Sequence, residues 1–505
     1  MIVCTQSLCV NNDLRPARPW AVLATCCLSL FLVTMDVTIV NVALPAIRRD
    51  LHASVGGLQW SIDGYTVVVA SFLTLAGATA DRLGRKRTFQ AGLVLFGIGS
   101  LLSSLAPSTA ALVGFRAVQA LGGAMMNPVA MSIIVNTFTD ARERARAIGV
   151  WGGVFGVSMA VGPLMGGVLT EHLGWRSIFW VNVPIAAGAV LLTAKFIPES
   201  RAPRPRRIDP VGQALVVVTL ASLVSAVIDG RRLGWTSPFI VGGLAVAALS
   251  VASFVAYERR REEPLVDLRF FRSIPFSSAT LLAILAFASF SGFLFLNSLY
   301  LQDARDLGPA TAGLVTLPIA LALMVCSPLS GRLVGAGRAR LAIVVAGTAI
   351  ATGGALLVRL EVTTPLAWLV VAYTVFGVGM GTINAPITNT AVSGMPRAQA
   401  GVAAAVASTS RQVGAALGVA VAGTVAGGGI HVAHAPNFAS ATHPFFWLVA
   451  AQGVVIALLG LYSTGRRAEE SVRRLGPLLR EPGSPEERPE APSRERAPAV
   501  HAGAA

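Results

Sequence analysis

Asp36 stands in the middle of a long apolar run, Val33-Thr34-Met35-Asp36-Val37-Thr38-Ile39-Val40-Asn41. A charge at the centre of a membrane helix costs roughly 2.5–3.5 kcal/mol even on the lenient insertion scale. A cavity Asp that trades a proton for a cationic substrate would be a simple exchange device; an Asp bonded to a neighbouring helix would be structural. Thr34, Thr38 and Asn41 share one helix face at i, i+4, i+7, and Asp36 points away from it. Only one of these sets is expected to line a narrow cavity. Asp63, near the outer end of the next apolar run, reads either as a second protonatable site or as a carboxylate at the water boundary. Arg116 also lies inside a run, and its guanidinium cannot lose its charge. Gln119, Gly123 and Asn127 follow on its face, so this stripe should look into a helix bundle, where the arginine finds acceptors. Such an arginine can bias a nearby acid and be released when that acid takes a proton, or it can simply anchor helix packing.

Small and polar residues form further stripes. Gly149, Gly152, Gly156, Pro163 and Gly167 share one face of the run at 145–170. Small residues let backbones touch and proline bends a helix, which suits a rocking seam or static close packing. Asn297 and Tyr300 sit amid Phe287, Phe290, Phe293 and Phe295. Gly377, Gly381, Asn384 and Thr388 share another stripe, and Ser410-Arg411-Gln412 is read as opening the thirteenth run. Amide and aromatic lining suits a lipophilic substrate with one or two polar groups, although lipid contact or core is the preferred reading of the phenylalanines.

The elements that must position these residues follow from composition. Of 505 residues, 54% are hydrophobic and 13% charged, with mean hydropathy +0.67. A soluble chain carries about 25% charged residues, so lipid is the bulk solvent. The formal charge of +15 and pI near 10.9 would suggest nucleic acid in a soluble protein. Here the charges fall in short runs between apolar stretches, as in membrane loops, and no nucleic-acid partner is expected. Cys4, Cys9, Cys26, Cys27 and Cys326 lack metal-ligand spacing and read as apolar fillers.

A spanning helix needs about 20 apolar residues. Runs lie near 19–47, 57–80, 88–106, 109–136, 145–170, 176–197, 208–229, 236–257, 274–301, 310–332, 340–358, 364–391, 400–426 and 444–464. The expected fold is an all-α polytopic membrane protein with about fourteen transmembrane helices. It divides into a cytoplasmic N-terminus (1–18), a six-helix bundle (19–197), two accessory helices (198–262), a second six-helix bundle (263–465) and a disordered cytoplasmic tail (466–505). Alternate loops are rich in arginine, and the exceptions on the other side are Arg48-Arg49 and Arg231-Arg232. The positive-inside rule then puts both termini in the cytoplasm, as an even span count also requires.

The loop after the second run reads Gly77-x-x-x-Asp81-Arg82-x-Gly84-Arg85-Lys86, and 330–338 is a degraded echo of it without the Asp. Glycines allow a tight turn and close helix approach, Asp81 can accept from an arginine, and the basic cluster holds the loop inside. This loop resembles the signature of the major facilitator superfamily. Met35–Pro45 and Gln59–Tyr65 resemble the first two helices of its fourteen-span drug:proton antiporters, the EmrB/QacA type. Arg116–Ala124 resembles the arginine motif tied to proton coupling, with Ala120 where glycine is frequent. Gly156–Gly167 resembles the antiporter motif. The resemblance runs from about Trp20 to Tyr462; the tail and the loop around His431 and His434 have no counterpart.

The resemblance implies two six-helix bundles plus two extra helices, with proton coupling at Asp36, Asp63 and Arg116. It implies a conformational loop at Gly77, Asp81, Arg82, Gly84, Arg85 and Lys86, and an antiporter seam at Gly152, Gly156, Gly162, Pro163, Gly166 and Gly167. A substrate cavity is expected at Asn41, Gln119, Asn127, Asn297, Tyr300, Asn384, Arg411 and Gln412.

An ATP-driven pump would need a Gly-x-x-x-x-Gly-Lys-Ser/Thr loop, and neither Lys86 nor Lys195 sits in one. No filter-like repeat, metal cluster or nucleophile elbow points to a channel or a membrane enzyme. The expectation is a non-enzymatic, proton-coupled multidrug or antibiotic efflux protein without cofactor or metal. It would act as a monomer in the cell membrane on small amphiphilic substrates and protons. A metabolite or nutrient transporter on the same fold is the alternative.

Overall fold

In lipid every backbone N–H and C=O must find its partner within the chain, which favours helices. The computed structural model describes residues 18–201, 209–261, 264–393, 395, 397–430 and 438–475; among them the chain is helical, with no strand. Cys4, Cys9, His431, His434 and the tail beyond 475 lie outside the described residues.

The first half holds α1 (Pro19–Leu51), α2 (Val55–Leu83), α3 (Arg85–Ser104), α4 (Thr109–Thr137), α5 (Ala141–Leu173), the short α6 (Ser177–Trp180) and α7 (Asn182–Phe196). A hairpin of α8 (Pro210–Leu233) and α9 (Pro238–Glu258) follows. The second half holds α10 (Ile274–Leu299), α11 (Pro309–Gly335), α12 (Ala339–Leu357), α13 (Leu366–Val392), α14 (Arg397–Ile430) and α15 (Phe438–Tyr462), with α16 (Arg466–Leu475) after it. Each of the fourteen apolar runs therefore falls on a helix. Twelve helices among the described residues are long and apolar enough to cross a membrane, α6 and α7 counting as one; α3 and α14 fall short on that measure.

Local chemistry fixes the ends. Ser54, Ser108, Asp140, Asp209 and Ser237 each accept a backbone N–H of the first turn they precede. Prolines open α1, α8, α9 and α11, where a missing N–H costs nothing. Two expectations need correction. The run at 176–197 is broken at Val181 into α6 and α7, and Asn182, just beyond the break, is fully buried and donates across the bundle. The segment 466–475, expected to be disordered, is helical. Ala468 and Leu475 are buried, and Ser471 Oγ accepts from Ile274 N at 3.0 Å. Two apolar anchors seven residues apart give that short helix a face to bury.

The two halves repeat one packing scheme. α1 lies on α5 as α10 lies on α14, α2 on α4 as α11 on α13, and α3 on α4 as α12 on α13. Backbones touch where side chains vanish. A Cβ on Gly347 would lie 2.7 Å from Gly453 O, and a Cβ on Gly453 would lie 2.7 Å from Gly347 O, so α12 and α15 cross in contact there. The halves meet through α5 with α11 and α2 with α14, and α8 rests on both α2 and α14.

Candidate functional site: a buried ion pair and the seam between the halves

Asp36 settles inside its own half. Its Oδ2 takes a hydrogen bond from Arg116 Nη1, and its Oδ1 accepts from Gln119 Nε2 at 2.8 Å and Asn182 Nδ2 at 2.9 Å. Arg116 Nη1 also donates to Gln119 Oε1 at 2.9 Å, and its Nε to Ser61 O at 3.3 Å. The guanidinium lies over the Tyr65 ring, 4.4 Å from its centroid. Asp36 is 0% exposed and Arg116 1%. Four helices therefore hold one sealed charge pair: α1, α2, α4 and α7. A buried pair of this kind survives because its remaining lone pairs and protons are also bonded.

The two polar sets of α1 are both buried and meet different helices. Asp36 turns towards α4 and α7, whereas Thr38 faces α5 at Gly162, where even a methyl group would collide with its hydroxyl. Asn41 Nδ2 donates to Val37 O at 2.8 Å, and its Oδ1 has no partner among the described residues. Val37 is 36% exposed in a helix packed on most sides, so it marks the side of α1 that faces open space.

Asp63 is also fully buried, and neither carboxyl oxygen has a partner among the described residues. One turn earlier on the same stripe, Gln59 Nε2 donates to Val419 O (3.0 Å) and Ala420 O (2.9 Å) of α14. Asp63 thus sits on the face of α2 that bridges the halves.

The signature loop is clamped by a residue that sequence reasoning missed. Gly84 has φ +112°, and a Cβ there would strike the Glu199 carboxylate. Glu199 Oε1 accepts from Lys86 N at 3.1 Å, Lys86 Nζ reaches Ala194 O at 2.8 Å, and Asp81 pairs with Arg85 at 3.1 Å. Arg82 is exposed, and a Cβ on Gly77 would meet nothing. The signal for Glu199 was a lone acid beside a proline in an otherwise basic stretch.

The seam glycines divide by partner. Gly162 and Gly166 receive α1 within the same half; a Cβ on Gly166 would lie 2.9 Å from Ile39 O. Gly156 and Gly167 face α11 of the other half, 3.2 Å from Met324 Cα and 2.6 Å from Pro309 O by the same measure, and Gly313 of α11 meets Pro163 O. Gly149 and Gly152, at the arginine-rich end of α5, are exposed and meet no described residue within 4 Å. The seam is shut at the Gly167 end and open at the Gly149 end.

Other contacts close the same end. Arg48 pairs with Asp303 at 3.3 Å, Gln302 Nε2 donates to Val42 O at 2.7 Å, and Glu171 Oε2 accepts from Ala310 N at 2.9 Å. Arg231 Nη1 donates to Thr424 O at 3.0 Å. The arginines that broke the loop-charge pattern, Arg48 and Arg231, thus have tertiary partners. Gln302 and Asp303 belong to a π turn at Tyr300–Ala304, a local widening of the helix often found at functional positions. Asp303→Asn is expected to change stability by only about 0–1 kcal/mol, since the pair is part-exposed. It should nevertheless lengthen the mean distance between spin labels at exposed Arg49 and Asp306.

Of the residues expected to line a cavity, Gln119, Asn297 and Tyr300 do not face open space in this conformation. Gln119 binds Asp36, Asn297 takes the Tyr373 hydroxyl, and Tyr300 Oη donates to Glu361 O at 2.6 Å. Phe290, Phe293 and Phe295 are buried, and Phe293 packs on Tyr373, Phe376 and Phe446. Asn127, Asn384, Arg411 and Gln412 are partly exposed. Among the described residues no group of three His, Cys, Asp or Glu side chains could hold a metal.

A doubled helical bundle with sealed intramembrane charges and a seam open at one end defines a polytopic membrane transporter. The chain belongs to the major facilitator superfamily, whose family profile matches residues 26–419. It is 38% identical over 398 residues to the multidrug resistance protein Stp of Mycobacterium tuberculosis, covering 79% of this chain and 74% of that one. It is 36% identical over 414 residues to the multidrug efflux pump LfrA of Mycolicibacterium smegmatis, covering 81% of each. Among solved structures, the human organic anion transporter MFSD10 shares the fold at TM-score 0.61 and 17% identity, over 88% of this chain and 99% of that one.

Proposed function

We propose that this protein is a proton-coupled exporter of small amphiphilic drugs or antibiotics, of the fourteen-span antiporter subtype. It would work as a monomer in the cell membrane with both termini in the cytoplasm and the bundles at 19–197 and 263–465 rocking about the site. The observation that carries the coupling is the sealed Asp36–Arg116 pair with Gln119 and Asn182. A proton on Asp36 removes the partner that holds Arg116, so proton uptake changes how α1, α4 and α7 are tied together. The relatives named for resistance and efflux support export over uptake. One charge crossing 100 mV is worth about 2.3 kcal/mol, enough for about a fifty-fold substrate gradient at roughly 1.4 kcal/mol per decade.

The test uses proteoliposomes with an imposed pH gradient and an internal pH dye. Cationic, neutral and anionic amphiphiles are added in turn. At least one is expected to drive proton movement that protein-free vesicles lack; silence across the panel overturns the coupling. Asp63→Asn is expected to fold as well as the parent, because it replaces a carboxyl that has no partner. If Asp63 carries protons, that variant shifts the pH profile of the flux. An unchanged profile makes it structural.

A further inference from the structure

The two deep arginines differ in one respect. Arg116 is neutralised by Asp36. Arg411, fourteen residues and so about 21 Å along α14 from its first residue, has no carboxylate in ion-pair range among the described residues. Its Nη1 donates to Ser408 Oγ at 3.1 Å and its Nη2 to Thr388 Oγ1 of α13, while its Nε is buried without a partner. Two hydroxyls solvate a guanidinium but do not cancel its charge. A lone cation at that depth is costly unless something pairs with it. Asp36 is taken by Arg116, and neither oxygen of Asp63 has a partner among the described residues, so neither acid pairs with Arg411.

Arg411 is itself partly exposed and bridges to Thr388, which is exposed, with half-buried Gln412 beside it.

We propose that Arg411 is the binding contact for an anionic group, a carboxylate, sulfonate or enolate, on the transported amphiphile. This deepens the export reading above and rests on it for the word transported. A guanidinium presents a planar fork of donors matched to a carboxylate, and Nη2 of Arg411 already donates to the hydroxyl of exposed Thr388. An inside-negative membrane potential also favours the exit of an anion. The substrate class is therefore anionic or zwitterionic, in contrast to the cation that Asp36 alone would suggest.

The experiment measures binding to the purified full chain in lipid nanodiscs with three matched probes: anthracene-9-carboxylate, 9-anthracenemethanol and 9-(aminomethyl)anthracene. The carboxylate is expected to bind at least about tenfold more tightly than the alcohol, the equivalent of about 1.4 kcal/mol. Arg411→Gln should bring that ratio to about one through loss of the charge-assisted contact. Arg411→Lys should keep a preference for the carboxylate. Arg411→Gln also removes the bridge between α13 and α14, so Thr388→Val, which removes the bridge alone, is measured beside it and should retain the preference. The proposal is overturned if the parent shows no preference, if the preference survives Arg411→Gln, or if Thr388→Val abolishes it. Proton flux with the same probes separates the two readings. Silence there overturns proton coupling, while the binding ratio decides Arg411 by itself.

Discussion

Asp36→Asn should abolish substrate-driven proton flux in proteoliposomes. The substitution leaves Arg116 buried beside a neutral amide. Removing one member of a buried, bonded ion pair typically costs about 3–5 kcal/mol, more than a hundredfold in an equilibrium. Part of that cost falls on folding, so a single variant is ambiguous. The double variant Asp36→Asn with Arg116→Gln separates the two roles. Removing both partners relieves the stranded charge, because replacing a whole buried pair is often close to neutral. Thermal stability is expected to recover towards the parent value while proton flux stays lost. Should flux return along with stability, the pair is a structural anchor and nothing more. The geometry favours the first outcome, since Asp36 holds three donors from two other helices and is fully buried.

Gly313→Leu should spring the closed end of the seam. Even a methyl group at Gly313 overlaps Pro163 O, and one on the facing Gly167 would lie 2.6 Å from Pro309 O. Both obstacles are backbone atoms of the other half and cannot rotate away. Overpacking of this kind costs about 1–3 kcal/mol, and here the cost falls on the closed conformation alone. The readout is a cysteine at Ala312, which is 3% exposed, in a background without the native cysteines. Its reaction with a membrane-impermeant maleimide should accelerate about tenfold, about 1.4 kcal/mol of shifted equilibrium. Gly162→Ala is the control. Its obstacle is Thr38 of the same half, so it should lower stability without changing that labelling. Equal labelling in the parent and Gly313→Leu, with turnover intact, would show that the seam does not have to close and open during transport.

The sequence was most legible where the solvent decides. Long apolar runs can do little but form helices in lipid, and all fourteen fell on helices. Caps and prolines set several of their ends. The polar residues were legible as unusual, not as partners. Asp36 and Arg116 stood out because charge inside a span is expensive, yet their pairing is a contact between residues 80 apart in sequence. Glu199 and Asn182 drew no notice, because a loop acid and a helix-end amide are unremarkable until a fold brings the signature loop and Asp36 to them. The seam glycines read as one stripe, and periodicity alone could not reveal that Gly162 serves α1 while Gly167 serves α11.

By itself the sequence therefore determined the helical membrane architecture and its doubled pattern, since hydropathy and helix period act residue by residue along the chain. Tertiary structure alone decided which helices the two polar sets of α1 meet, which arginine is paired with a carboxylate and which is held by hydroxyls, and which end of the seam is shut. Those depend on which helices become neighbours, and in lipid that choice is made by small-residue fit and polar pairing at a few crossing points.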